Sequence, residues 1–147
     1  MKHNLFKLSF LLIVVMLIAV GCKLEGEQKE PPHMQVKINE ITIEAQRGSY
    51  KWQYGNQHVV ADAAAPFQIA ANMDPVVVPA GESASILFTD QSEPEIEAYL
   101  WEETRSGTLE VDQNELTLPV ETGTHIIEVF ATWKAGEASY TFVVLVQ

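Results

Sequence analysis

The sequence predicts an all-β domain, an antiparallel sandwich with one short helical segment, and three observations carry that expectation. From Met34 onward apolar residues recur with period two rather than 3.6, in runs rich in Val, Ile, Tyr and Trp. Gly, Pro, Asn and Asp interrupt those runs at short intervals, the punctuation of strands joined by turns. The last two runs, Thr124 to Trp133 and Ala138 to Val146, flank Lys134-Ala135-Gly136-Glu137 and read as a long hairpin.

Val36, Ile38, Ile41 and Ile43 mark a first strand region whose alternation slips at Asn39-Glu40, as a bulge or turn requires. Tyr50, Trp52 and Tyr54 share one face of a second strand that ends at Gly55-Asn56. Val59 to Asn72 is alanine-rich, and Pro66 suits the first turn of a short helix. Val76-Val77-Val78 leads into Pro79-Ala80-Gly81-Glu82, where the chain should reverse or jog. Ile86-Leu87-Phe88 reads as a buried strand. Ile96 to Glu102, Leu109 to Val111 and Leu116 to Leu118 follow as strands, the last two joined through Asp112-Gln113-Asn114. In the terminal hairpin, Ile127, Val129, Ala131 and Trp133 should share a core face with Tyr140, Phe142, Val144 and Val146.

The region before Met34 has a different grammar. Residues 1–21 hold Lys2 and Lys7, an apolar run from Leu8 to Val20, and small residues before Cys22, the three zones of an export signal. The run falls short of the ~20 apolar residues a spanning helix needs. Ala19-Val20-Gly21-Cys22 resembles the bacterial lipobox, which implies diacylglycerol on the Cys22 sulfur and cleavage before it. Cys22 is the sole cysteine, so no disulfide forms within the chain, and lipidation accounts for its place. Residues 22–33 are then the lipidated cysteine and a flexible, charged tether ending in Pro31-Pro32, and residues 34–147 form one domain. The expected location is the extracytoplasmic face of the cell membrane, held by acyl chains.

From Pro79 to Val146 the order of features resembles bacterial immunoglobulin-like modules: P-A-G-E before Ile86-Leu87-Phe88, E-T-G-T-H before Ile126 to Val129, and a final S-Y-T-F-V-V-L-V. The resemblance implies an immunoglobulin-like antiparallel β-sandwich. Such modules carry a tyrosine after the G-T pair that bonds back across a corner, whereas His125 stands here. G-S-Y-K-W from Gly48 and A-D-A-A-A-P-F from Ala61 resemble segments of Bacillus-type surface lipoproteins, a family pattern with no activity attached.

The 147 residues carry 20 acidic against 9 basic side chains, a formal charge of −11 that becomes −13 once Lys2 and Lys7 are removed. Such a surface disfavours nucleic-acid backbones, which need basic groups to displace counterions. His33, His58 and His125 have no metal-ligand spacing, so no metal or cofactor is expected. No G-x-S-x-G, S-x-x-K or glycine-rich phosphate loop marks an enzyme. The aromatic sets are the candidate binding residues: Tyr50, Trp52 and Tyr54 as a platform for sugar rings or peptide side chains, and Trp101 beside Glu102-Glu103. Filling the space between sheets is the competing use of the same residues. The expected function is a non-enzymatic interaction module whose partner is an envelope protein or cell-wall glycan. A wall hydrolase with a site assembled by folding, and a sensor or inhibitor docking on a membrane protein, are the alternatives.

Overall fold

The computed structural model describes residues 28–147; the expected signal, Cys22 and the first part of the tether lie outside the described residues. Twelve strands and one helix follow in order: β1 (Met34–Ile38), β2 (Ile41–Glu44), β3 (Gln46–Tyr54), β4 (Gln57–Ala61), α1 (Pro66–Ala70), β5 (Val76–Val78), β6 (Ser83–Phe88), β7 (Glu95–Trp101), β8 (Arg105–Leu109), β9 (Val111–Asp112), β10 (Glu115–Thr117), β11 (Gly123–Trp133) and β12 (Gly136–Val146). They form two facing sheets, β2-β1-β6-β10-β9 and β4-β3-β12-β11-β7-β8, with β5 added parallel to the end of β12. Within them β1-β6-β10-β9 faces β12-β11-β7, the strand order of an immunoglobulin-like sandwich, and β2, β3, β4 and α1 are an insertion between its first strand and β5.

Alternation produces the core. Val36, Ile38, Ala84, Ile86, Phe88 and Leu116 point inward from one sheet; Ile127, Val129, Ala131, Tyr140, Phe142 and Val144 point inward from the other. The hairpin puts Ile127, Val129 and Ala131 on one face with Tyr140, Phe142 and Val144, as the sequence predicts; the register pairs Ile127 with Phe142, Val129 with Tyr140 and Ala131 with Ala138, and β11 and β12 are central. The slip after Ile38 is a two-residue turn, with Asn39 at φ 52° and Ile38 paired to Ile41. Pro66 opens α1, which lies on the outer face of β12 and β11, where the outward Thr141 and Val143 are buried.

Several expectations need correction. Val59 to Ala61, the start of the alanine-rich stretch, belongs to edge strand β4 rather than to the helical segment. Leu109 to Val111 is not one strand: the chain leaves the larger sheet after β8 and enters the smaller as β9. Leu87 is 41 % exposed, because β6 alternates rather than being buried on both faces. At the corner where the resemblance implies a tyrosine, His125 Nε2 donates to the Glu121 carbonyl at 2.7 Å, so a side-chain bond is made there.

The expected tether also changes its boundary. Residues 28–33 are packed on the domain as a strap, with Pro31 and Pro32 buried. Trp52 Nε1 donates to the Gln28 carbonyl at 2.9 Å, Arg47 bonds the Pro31 carbonyl and the Glu30 carboxylate, and Tyr140 Oη donates to the Pro32 carbonyl at 2.7 Å. A composition too polar to fold alone is ordered here because the domain supplies apolar cover for the prolines and donors for the carbonyls. Among the described residues the packed unit therefore includes residues 28–33 as well as the strands that begin at Met34.

Candidate functional site

The strap decides the fate of the first aromatic set. Tyr50, Trp52 and Tyr54 do share one face of β3, and that face is turned inward. Trp52 is 6 % exposed, set edge-on to Trp133 with centroids 5.3 Å apart. Trp133 in turn meets Phe88 at 4.9 Å, so these rings close the core at one end of the sandwich. Tyr50 is half-buried with the Arg47 guanidinium 5.2 Å from its ring centre, and Lys29 Nζ lies 5.9 Å from that of Tyr54. The platform expected of these three residues is not formed: Trp52 is a packing residue, and its two neighbours are covered from the side by strap and β3 cations.

Trp101 is different. It ends β7 on the outer face of the larger sheet and is half-buried there. Glu128 of β11, directly opposite Tyr99 of β7, points to the same face. Its Oε2 accepts from Trp101 Nε1 at 2.7 Å and from Arg105 Nε at 2.9 Å. The Arg105 guanidinium also lies 3.8 Å over the Tyr99 ring, a cation–π stack. Burial raises the Tyr99 phenol, and its hydrogen bond with Glu97 adds to the shift. Glu128 itself is 5 % exposed, a carboxylate buried on the outside of a sheet. Taking a carboxylate out of water is costly unless it is paired, and here one oxygen is shared by an indole and a guanidinium. The result is a Trp, a Tyr and an Arg held in fixed orientation at the surface, residue types that dominate binding energy at interfaces.

Beside this cluster runs a cleft of about 410 Å³ with Trp101, Glu128 and Phe130 on its floor, the Lys51–Glu137 pair at its other end, and the extended segment Ala61 to Pro66 as its wall. Ser49 Oγ accepts from the Ala63 N–H at 3.0 Å and fixes that wall. Gly48 makes the fit possible: β3 bulges opposite Ser139, and a Cβ at Gly48 would stand 2.5 Å from Ser139 Oγ. Sequence reading found Trp101 but attached it to Glu102 and Glu103; the acid it uses is Glu128, whose apolar strand surroundings were the available signal.

A second, larger concavity of about 860 Å³ opens along β6. There β10 pairs only with Ser83 to Ser85 and the Gln113-Asn114 turn takes over at Ile86. Leu87, Phe88, Pro94 and Ile96 supply its apolar surface, with the amides of Gln35 and Gln91 at its edge. The loop above it is held by Ser92, which donates to Asp90 Oδ1 at 2.7 Å and accepts from Trp133 Nε1 at 2.8 Å. Elsewhere the Ser83 and Ser85 hydroxyls, each 2.6 Å away, hold the Glu115 carboxyl below its ordinary range. Among the described residues no three or more His, Cys, Asp or Glu side chains gather as a metal site would require, and no helix is long and apolar enough to cross a membrane. Compared with known protein families, characterised proteins and solved structures, the chain matches none.

Proposed function

We propose that the chain is the precursor of a lipoprotein held at the extracytoplasmic face of the cell membrane through Cys22, and that its domain is a non-enzymatic interaction module of the envelope. The anchor half of this reading rests on the basic start, the apolar run and the small residues that precede a sole cysteine. Six residue-to-residue steps lead from Cys22 to Gln28, a reach of at most about 20–22 Å, so a lipid on that sulfur keeps the domain beside the bilayer.

One observation carries the interaction half: Glu128 is buried on the outer face of the sheet with its charge committed to fixing Trp101 and Arg105 at the surface. Side chains whose rotamers are set beforehand lose less entropy when a partner docks, which suits them to recognition. We assign the contact surface to this face, and the partner is a protein or glycan of the envelope.

Two experiments test the halves separately. Cys22→Ser should abolish labelling by radioactive palmitate and release the product from membranes; an unlabelled parent with unchanged membrane retention refutes the anchor. A photo-crosslinking residue at Val60, 65 % exposed beside the cleft, should trap a partner in cells, and Trp101→Ala should abolish the adduct. The same probe at Val120, exposed between β10 and β11, is the control; equal trapping at both positions refutes the assigned face.

A further inference from the structure

We propose that Arg105, together with Trp101 and the adjoining cleft, forms a site for the free C-terminal carboxylate of a short peptide segment; this rests on the reading of the Trp101 face as the contact surface. Arg105 stands on edge strand β8, and its guanidinium plane is fixed twice, by the Nε bond to Glu128 at 2.9 Å and by the stack on Tyr99 at 3.8 Å. The side chain remains 45 % exposed, and among the described residues its terminal Nη1 and Nη2 donate to no protein acceptor. Two parallel N–H groups on a plane that cannot swing away match the two oxygens of a carboxylate. The other arginine has no such freedom. Arg47 is 18 % exposed and occupied by Glu30 and the Pro31 carbonyl.

Charge and shape narrow the ligand. Glu128 and Arg105 neutralise one another, while Glu97 and Glu137 stand nearby on the same face, so a single planar negative charge is tolerated better than a phosphate dianion. The same Glu128 oxygen fixes Trp101, so a group bound at Arg105 has an indole beside it for the apolar side chain next to its carboxylate. From there the cleft continues past Phe130 beneath the wall at Ala61 to Ala65, where small, mostly exposed side chains leave extended backbone within reach of a peptide lying along it. A chain end fits this arrangement because its carboxylate sits at one terminus and its residues run off in one direction.

The test follows the Trp101 indole N–H resonance in the isotope-labelled full-length chain in detergent micelles. The probes are Ala-Ala-Leu with a free C terminus, the same peptide as its C-terminal amide, an end-blocked Ala-Glu-Ala, and inorganic phosphate. The free acid should shift the resonance saturably, and the amide should bind at least about tenfold more weakly. Arg105→Gln should reduce binding of the acid to the level of the amide, and Arg105→Lys, a point charge without the fork, should not restore it. Equal binding of acid and amide overturns the carboxylate while leaving the Trp101 face as a contact surface. An equal response to end-blocked Ala-Glu-Ala or to phosphate overturns the chain-end assignment. Silence toward every probe overturns the site, and the crosslinking experiment at Val60 then decides the broader reading independently. The peptide comparisons use the unaltered protein, so they stand even where an Arg105 variant folds poorly.

Discussion

Replacing Tyr140 with Phe isolates the contact that fastens the strap. Tyr140 is fully buried on β12, and its hydroxyl donates to the Pro32 carbonyl at 2.7 Å, joining residues 108 positions apart. Phenylalanine keeps the ring and its edge contacts with Phe88 and Trp133, so the change removes one hydrogen bond and leaves a buried carbonyl without its donor. That loss is worth about 1–2 kcal/mol. For a domain of about 120 residues the melting temperature should fall by about 4–8 °C. The hydroxyl adds a second signature. Burial pushes the phenol well above its ordinary value of 10.0, with Asp90 adding to the rise and Arg47 opposing it. Below about pH 10 both folded and unfolded chains keep this proton, and the contribution is whole. Above it the unfolded chain releases the proton while the folded one holds it, so stability falls by up to about 1.4 kcal/mol per pH unit. The variant should therefore be less stable at neutral pH and show a shallower alkaline decline. Thermal melting at pH 7, together with urea unfolding followed by tryptophan fluorescence at pH 7 and about pH 11, reads both effects. A variant within 1 °C of the parent whose alkaline decline is just as steep would refute the assignment of this bond to the strap.

Further expectations concern the turns and the acid limb. Gly136 has φ 154° and an added Cβ would lie 2.0 Å from the Lys51 carbonyl oxygen, so Gly136→Ala should cost about 3 kcal/mol or more by prying β12 from β3. Gly123→Ala is the matched control, with φ 132° but open space around the new methyl, and should cost only about 1–2 kcal/mol of backbone strain; equal midpoint shifts would contradict the steric argument. Because Ser83 and Ser85 depress the Glu115 carboxyl, its contribution is present above the ordinary carboxylate range and is lost as pH falls through the folded-state value. Glu115→Gln should flatten the stability profile between about pH 6 and pH 2, and an unchanged profile would show that the two serine bonds are not formed in solution.

Much of this architecture was written locally. Strand periodicity, the turns at Asn39-Glu40 and Gly55-Asn56, and the proline that opens α1 depend on neighbours in the chain and lie where the sequence places them, while the turn expected over Lys134 to Glu137 is tighter, with β12 already starting at Gly136. The jog at Gly81 was equally legible, and it carries the chain from β5 in one sheet to β6 in the other. Trp101 was visible as a candidate; Arg105 was not, because nothing in a strand edge read as R-S-G-T-L distinguishes a solvated arginine from one stacked on Tyr99 and bound to Glu128.

Sequence alone determined which residues alternate and where the chain turns, and it is the whole ground for the lipid anchor proposed at Cys22. Only the tertiary structure decided which aromatic faces are covered. Trp52 and Trp101 sit at equivalent period-two positions in β-rich runs, yet one is sealed by a strap arriving from Gln28 and the other stays at the surface, held by a carboxylate 27 residues away. Alternation gives a strand two faces, but burial belongs to whatever packs against them, and that is settled by contacts between segments the chain keeps far apart.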